Sequence, residues 1–215
     1  MSRGELLARL RAVSIPTLGH FLEDGFLAPE IRRLAGSGTL AGVARTVRIS
    51  EQDATAMNRA ILRVEPGEVL VVSMSGDIRH APLGAVTAAA LFARGAAGVV
   101  VDGAVTDLGD LRASGLSVYA RGTSCLTTKR RFGDESELGV PVECGGVLIR
   151  DGDLVLGDDN GVVALTAEAA SAVVGLAEAS DAAEPALLAR IRAGEPLANL
   201  LALGPRATSP SQPDG

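Results

Sequence analysis

Leu83-Gly84-Ala85-Val86, followed by Gly98-Val99-Val100-Val101-Asp102-Gly103-Ala104-Val105-Thr106-Asp107, is the stretch on which the fold class turns. Residues 84–94 have the composition of a buried helix, and residues 98–101 form a β-branched run behind a glycine. The interval 83–101 is apolar enough to be mistaken for a membrane span. Arg94 would then sit in lipid at a cost of roughly 2.5 to 3.5 kcal/mol, and Gly95 and Gly98 punctuate the run. It reads as a buried helix, a turn and a buried strand. A short helix over 107–113 and a strand over 117–120 follow, so this part of the chain is α/β.

Working outward, Ser2-Arg3-Gly4-Glu5 has the spacing of a capping box and opens a helix with Leu6, Leu7, Leu10 and Val13 on one side. A short helix begins at Pro16. A strand is expected over 45–49, a helix over 53–64 and a strand over 68–73, after the Pro66-Gly67 turn. From Val140 the texture is strands only: 142–149, 153–156 and 162–165, joined by the hairpin signals Asp151-Gly152 and Asn160-Gly161. Residues 168–192 form an Ala-rich helix, with Pro185 as the point where it would break. Residues 205–215 hold three prolines and no apolar period, the pattern of a disordered tail. No composition break divides the rest, so residues 1–204 are expected to form a single domain.

Composition narrows the function. In 215 residues the hydrophobic share is 47% while aromatics make 2%, so the core is built from Ala, Val, Leu and glycine. Five aromatic rings cannot furnish a stacking platform for nucleobases. A net charge of −6 has the wrong sign for holding phosphate backbones, so nucleic acid is not an expected partner, nor is a membrane. Two cysteines and no leader-like segment make a reduced, cytoplasmic setting the default expectation. Lys129 is the only lysine.

Several short motifs have ordinary readings. Gly36-Ser37-Gly38 resembles part of a dinucleotide fingerprint but is expected to follow a helix and precede a strand, the wrong context for holding a pyrophosphate. Asp158-Asp159-Asn160-Gly161 lacks the closing Glu of a calcium loop and fits a hairpin turn. His20, His80, Cys125 and Cys144 lack zinc spacing. Cys125 lies near Lys129 and Arg130 but has no neighbouring His to act as base. Thr127-Thr128-Lys129-Arg130-Arg131 is a polar, cationic loop unsuited to a Schiff-base lysine.

The informative block continues through Val118-Tyr119-Ala120-Arg121-Gly122-Thr123-Ser124, Val140-Pro141-Val142-Glu143-Cys144-Gly145-Gly146-Val147 and Asp158-Asp159-Asn160-Gly161-Val162-Val163. Glycines and acids gather at strand ends. Gly84 at a helix start exposes N–H donors suited to a carboxylate or oxyanion, and Asp107 is placed to hold a metal or a water. In motif order and spacing, from about residue 14 to about residue 200, the chain resembles the family that joins 4-hydroxy-4-methyl-2-oxoglutarate aldolase with the regulator of ribonuclease activity A (RraA).

That resemblance implies an α/β/β/α sandwich of the swivelling phosphohistidine-domain type, assembled as trimers or pairs of trimers with sites between subunits. It also implies a divalent metal, magnesium or manganese, acting as a Lewis acid on a small oxo acid. The family's Arg-Asp pair, clamp and metal ligand, is Thr106-Asp107 here, and the family acid after the pocket glycine is Ala85. Asp107 thus carries the implied metal role, and its alternative is a cap for the following helix. His80 is a candidate replacement acid or base, and Arg79, Arg121 or Lys129 a replacement cation. Gly84, Ala85, Val86 and Arg121 form the expected substrate-binding set, and Asp107, Thr106 and His80 the catalytic one. Three functions follow: a divergent metal-dependent lyase, the same fold turned to another reaction in a specialised biosynthetic pathway, and a non-catalytic ring that binds a protein partner.

Overall fold

The computed structural model describes residues 2–50, 52–129 and 135–201. Arg130, Arg131 and the expected tail over 205–215 lie outside the described residues. Helix α1 (Arg3–Ala12) opens with the capping box: Glu5 N donates to Ser2 Oγ at 3.3 Å and Ser2 N to Glu5 Oε2 at 2.7 Å. Helix α2 (Ile15–Leu18) follows with Pro16 in its first turn, where the missing N–H costs nothing.

The parallel part of the sheet comprises β2 (Leu40–Arg48), β3 (Glu68–Ser73), β4 (Gly98–Val105) and β5 (Ser117–Thr123). Helices α3 (Ala54–Ile61), α4 (Ala85–Ala93) and α5 (Leu108–Ala113) form the connections. Strand β1 (Arg32–Ala35) adds antiparallel to β5, and β9 (Leu154–Asp158) and β10 (Gly161–Leu165) extend the other side, giving the order β1-β5-β4-β3-β2-β9-β10. The short β6 (Glu137–Leu138) pairs with the end of β2.

Residues 142–149 do not form one strand. Gly145 and Gly146, both at positive φ, turn the chain between β7 (Val142–Cys144) and β8 (Val147–Ile149), a separate two-stranded sheet. Asp151-Gly152 is therefore a crossing between sheets rather than a hairpin; Asp151 accepts from Thr46 N at 3.0 Å and from Arg45 Nη1 at 2.7 Å. Asn160-Gly161 does turn the β9–β10 hairpin. Gly36 to Gly38 follow strand β1, not a helix, and lead into β2, so no helix N-terminus meets them. Helix α6 (Ala167–Arg192) runs unbroken through Pro185.

Side-chain alternation in β3 and β4 explains the layers. Leu70, Val72, Val99 and Val101 pack with Met57, Leu91 and Leu111 of α3, α4 and α5. Their neighbours Val69, Val71 and Val100 point the other way, into an interior shared with Tyr119, Cys144, Ile149, Val155 and Val162. A third cluster joins Leu6, Leu10 and Leu18 to Leu154, Leu156, Val163 and Val174 under α1, α2 and α6. The order is helix, sheet, sheet, helix, the α/β/β/α arrangement expected. The sheet curls so that its ends approach: Arg33 of β1 reaches Asp159 in the β9–β10 turn at 2.7 Å and donates to Tyr119 Oη at 3.0 and 2.8 Å.

Candidate functional site

A cleft of about 200 Å³ lies where β2, β3, β4 and β5 all end, and each strand's following segment supplies part of it. In an open parallel sheet this is where ligands bind, because loops diverge and helix N-termini converge at the carboxyl ends. After β2 come Ala54 and Asn58; after β3, Ala81, Pro82 and residues 84–87; after β4, Thr106 and Asp107; after β5, Thr127 and Thr128. Backbone bonds stitch the segments together. Thr106 N donates to Leu83 O at 2.9 Å, Ala81 N to Leu126 O at 2.8 Å and Ala54 N to Lys129 O at 2.9 Å.

Asp107 has left-handed backbone, φ 53° and ψ 44°, a conformation that costs a non-glycine residue about 1–3 kcal/mol. That geometry turns its side chain away from its own helix: α5 has no side-chain cap, and Asp107 Oδ2 instead accepts from Ala85 N, at the start of α4, at 2.9 Å. The alternative reading of Asp107 as a cap for α5 is thereby corrected. Thr106 Oγ1 lies 3.4 Å from Asp107 Oδ1. A Cβ on Gly84 would stand 2.6 Å from Asp107 Oδ2 and 2.8 Å from Thr106 Cγ2, so only glycine permits this approach. Gly84 N donates to Thr87 Oγ1 at 2.9 Å. The two N–H groups expected to hold a ligand anion are thus both engaged within the chain, one by a hydroxyl and one by the Asp107 carboxylate. Val86, the next residue, lines the cleft and is 84% exposed.

Among the described residues, no group of three or more His, Cys, Asp and Glu is placed to hold a metal. Among the described residues that line the cleft, Asp107 is the one carboxylate, and its Oδ1 stands beside the Thr106 hydroxyl. This set suits a magnesium-like ion, which keeps most of its waters and takes one or two carboxylates plus substrate oxygens. It does not suit zinc, which wants nitrogen or sulfur ligands.

The other expected residues lie elsewhere. His80 is outside the cleft lining, with Nδ1 2.6 Å from Asp77 Oδ2. Burial would raise the Asp77 carboxyl, but donation from Arg79 N, His80 N and the His80 ring holds it below the usual carboxylate range. Arg121 is bound to Asp102, which also accepts from Gly145 N at 2.8 Å, and lies 3.9 Å from Glu30. It is not brought to Asp107. Lys129 is exposed, and its backbone accepts from Ala54 N and donates to Gln52 O, each at 2.9 Å. Cys125 is exposed, and Cys144 is buried, which pushes its thiol well above the ordinary range. A larger hollow of about 320 Å³ beside Arg45 is less promising, since Arg45 is already spent on Glu68 and Asp151 at 2.8 and 2.7 Å. Asn58, Thr127 and Thr128 are lining residues that sequence reasoning missed; Asn58 stands inside α3, and the two threonines lie in the segment after β5.

Comparison with known proteins agrees with the fold. The family model RraA-like, Aldolase/RraA, matches residues 18–164. A Halalkalibacterium halodurans protein named "Putative 4-hydroxy-4-methyl-2-oxoglutarate aldolase" is 32% identical over 169 residues, covering 77% of this chain and 79% of its own. A protein of the same name from Xanthomonas campestris pv. campestris is 35% identical, with 73% and 92% covered. Among solved structures, Streptomyces coelicolor RraAS2, described as an unusual member of the RNase ES inhibitor RraA family, aligns with a TM-score of 0.71 at 30% identity, covering 88% of this chain and 97% of that one. The RNA-processing inhibitor RraA from Thermus thermophilis aligns with a TM-score of 0.63 at 29% identity, covering 71% and 92%.

Proposed function

Because the chain belongs to the RraA-like family, we propose that it is a metal-dependent lyase acting on a small oxo acid through a retuned pocket. One observation carries the reading: the Asp107 carboxylate is fixed at the mouth of the cleft by Ala85 N at 2.9 Å, on a left-handed backbone the fold must sustain. Of the non-glycine residues with left-handed backbone, Gln52, Ser75 and Asp107, it is Asp107 that lines the cleft, and such conformations gather at functional sites. Asp107 and the Thr106 hydroxyl would hold magnesium or manganese, and the ion supplies Lewis-acid polarisation of an oxo group. Gly84 sets the distance between α4 and Asp107, Ala85 N orients the carboxylate, and Val86 borders the entrance. His80 and Arg121, bound to Asp77 and Asp102, have no part in this reading.

The proposal includes one domain over residues 1–204 and a homo-oligomer, trimeric or hexameric, with the cleft at a subunit boundary. Support comes from α4, which carries no charged side chain between Ala85 and Ala93 yet leaves Val86 84% and Phe92 56% exposed. A helix apolar on all sides is ordinarily covered. Light scattering giving a monomer at micromolar concentration would remove this part. Thr106 and Ala85, where the family has Arg and an acid, favour as second reading the same fold turned to another reaction.

The test is pyruvate release from 4-hydroxy-4-methyl-2-oxoglutarate, from oxaloacetate and from a panel of other oxo acids, with magnesium or manganese. Turnover should require the ion and fall by about 100-fold or more in Asp107→Asn, a loss at least as large as that of an outer-shell partner. Absence of metal-dependent turnover on every oxo acid tested overturns the proposal.

A further inference from the structure

Helix α6 outruns the body it packs on. Its buried residues end at Ala177, and from Glu178 to Leu201 none is buried. Asp181 clasps α2, accepting from Ser14 N at 2.7 Å and from the Thr17 hydroxyl. The helix then runs about 17 Å further to Arg192. In that stretch Pro185 removes a helix hydrogen bond, and Leu187, Leu188 and Ile191 share one side. The chain turns at Gly194 and adds the exposed Leu197 and Leu201. So short a helical segment gains little stability alone in water and keeps its form by packing an apolar side.

Beside the clasp lies an apolar hollow of about 290 Å³, lined by Ile15, Pro16, Phe26, Leu27, Pro29 and Val162, with room for aliphatic side chains. No residue of α6 lines it. The helix is continuous, so it carries Leu188 and Ile191 away from the hollow at its own root. Charge matches as well. Asp24, Glu30, Asp158 and Asp159 stand within two residues of the lining in sequence, and no base does. Arg33 binds Asp159 and Arg121 lies 3.9 Å from Glu30, yet those carboxylates remain 86% and 64% exposed. On α6, Asp181 and Glu184 lie nearer the clasp, and the charged residues between Pro185 and Gly194 are Arg190, bound to Glu195, and the exposed Arg192.

We propose that this face joins two copies of the chain, the aliphatic end of each α6 seating in the hollow beside the other copy's α2, with Arg192 toward the acids around it. Because helix root and hollow adjoin, a two-fold axis near the clasp lays each helix end over the opposite hollow, a reciprocal contact that closes on itself. It lies on the α1–α2–α6 layer, across both sheets from α4, and depends neither on the cleft nor on its chemistry.

Light scattering of the full chain at micromolar concentration should give an even multiple of the chain mass, and Leu188→Asp combined with Ile191→Asp should halve it. A cysteine pair tests the seating without that double substitution. Two differently tagged chains, both Cys125→Ser, one with Ile191→Cys and the other with Pro29→Cys, should join on mixing and oxidation into a covalent mixed dimer. An odd multiple such as a monomer or a trimer, a mass that the double substitution leaves unchanged, or chains that do not join would each overturn the proposal. A chain ending at residue 204 should keep the full mass. If that deletion lowers the mass and the double substitution does not, residues 205–215 make the contact and the proposal is again overturned.

Discussion

Gly84 and Asp107 are a matched pair, each intelligible only through the other. Gly84→Ala would drive a methyl into the Asp107 carboxylate at 2.6 Å and the Thr106 methyl at 2.8 Å. We expect about 1–3 kcal/mol of destabilisation in urea unfolding, typical of overpacking, together with loss of turnover. Asp107→Asn should unfold near the wild-type midpoint, since Asn tolerates left-handed backbone and keeps an acceptor for Ala85 N. Asp77 yields a pH prediction. Its folded carboxyl lies below its ordinary value near 3.8, so its contribution is complete above that value and is lost as pH falls through the lower folded one. The stability gap between wild type and Asp77→Asn should therefore shrink as pH falls below about 4; urea midpoints at several pH values in the acid range measure it. Thr106, Asp107 and Gly84 were named from the sequence because each stands in a short local motif, and the structure brings the three to one cleft. Asn58, Thr127 and Thr128 were not, because they meet only when four strand ends are set side by side.

At the scale of elements, what could be read locally was read well. The capping box of α1 and the Pro66-Gly67 turn before β3 are short-range signals, and the structure has both. Strand lengths were less legible. β2 begins at Leu40 and β4 and β5 run on to Val105 and Thr123, because partner strands on either side extend the pairing through glycines and charged residues of low β-propensity. β1 and β6 were missed altogether; each owes its conformation to a long-range partner, β5 and β2. The 142–149 run was read as one strand because apolar content outweighed two adjacent glycines that turn it. Helix α6 is two-natured: its buried residues end at Ala177, and Asp181 then ties it to Ser14 N at 2.7 Å and Thr17 Oγ1 at 2.5 Å. Under its first half, Leu10→Ala should cost about 2–5 kcal/mol, whereas breaking the exposed Arg9–Glu178 pair by Glu178→Gln should change stability by about 1 kcal/mol or less. Chemical denaturation of the two variants side by side checks the contrast.

The whole molecule depends on a curled sheet whose two ends are held together by few side chains. Arg33, with its side chain 10% exposed, spans from β1 to Asp159 and to the buried Tyr119 hydroxyl. Arg33→Ala leaves that hydroxyl without its donor and should cost about 1–3 kcal/mol, seen as a fall in melting temperature of about 2–4 °C per kcal/mol for a chain of this size. The layering raises a separate question of alignment. In β3 and β4 both faces are aliphatic, so sliding a strand by one residue would exchange valines between two apolar interiors, and polarity would give almost no warning of the error. Shape has to do that work. Tyr119, the bulkiest wholly enclosed side chain among the described residues, rests on Gly157, where a Cβ would come within 2.8 Å of its ring. A slipped pairing would set the ring against Leu156 or Asp158 instead. One tyrosine over one glycine thus acts as the index mark by which an otherwise repetitive set of valines finds its proper alignment.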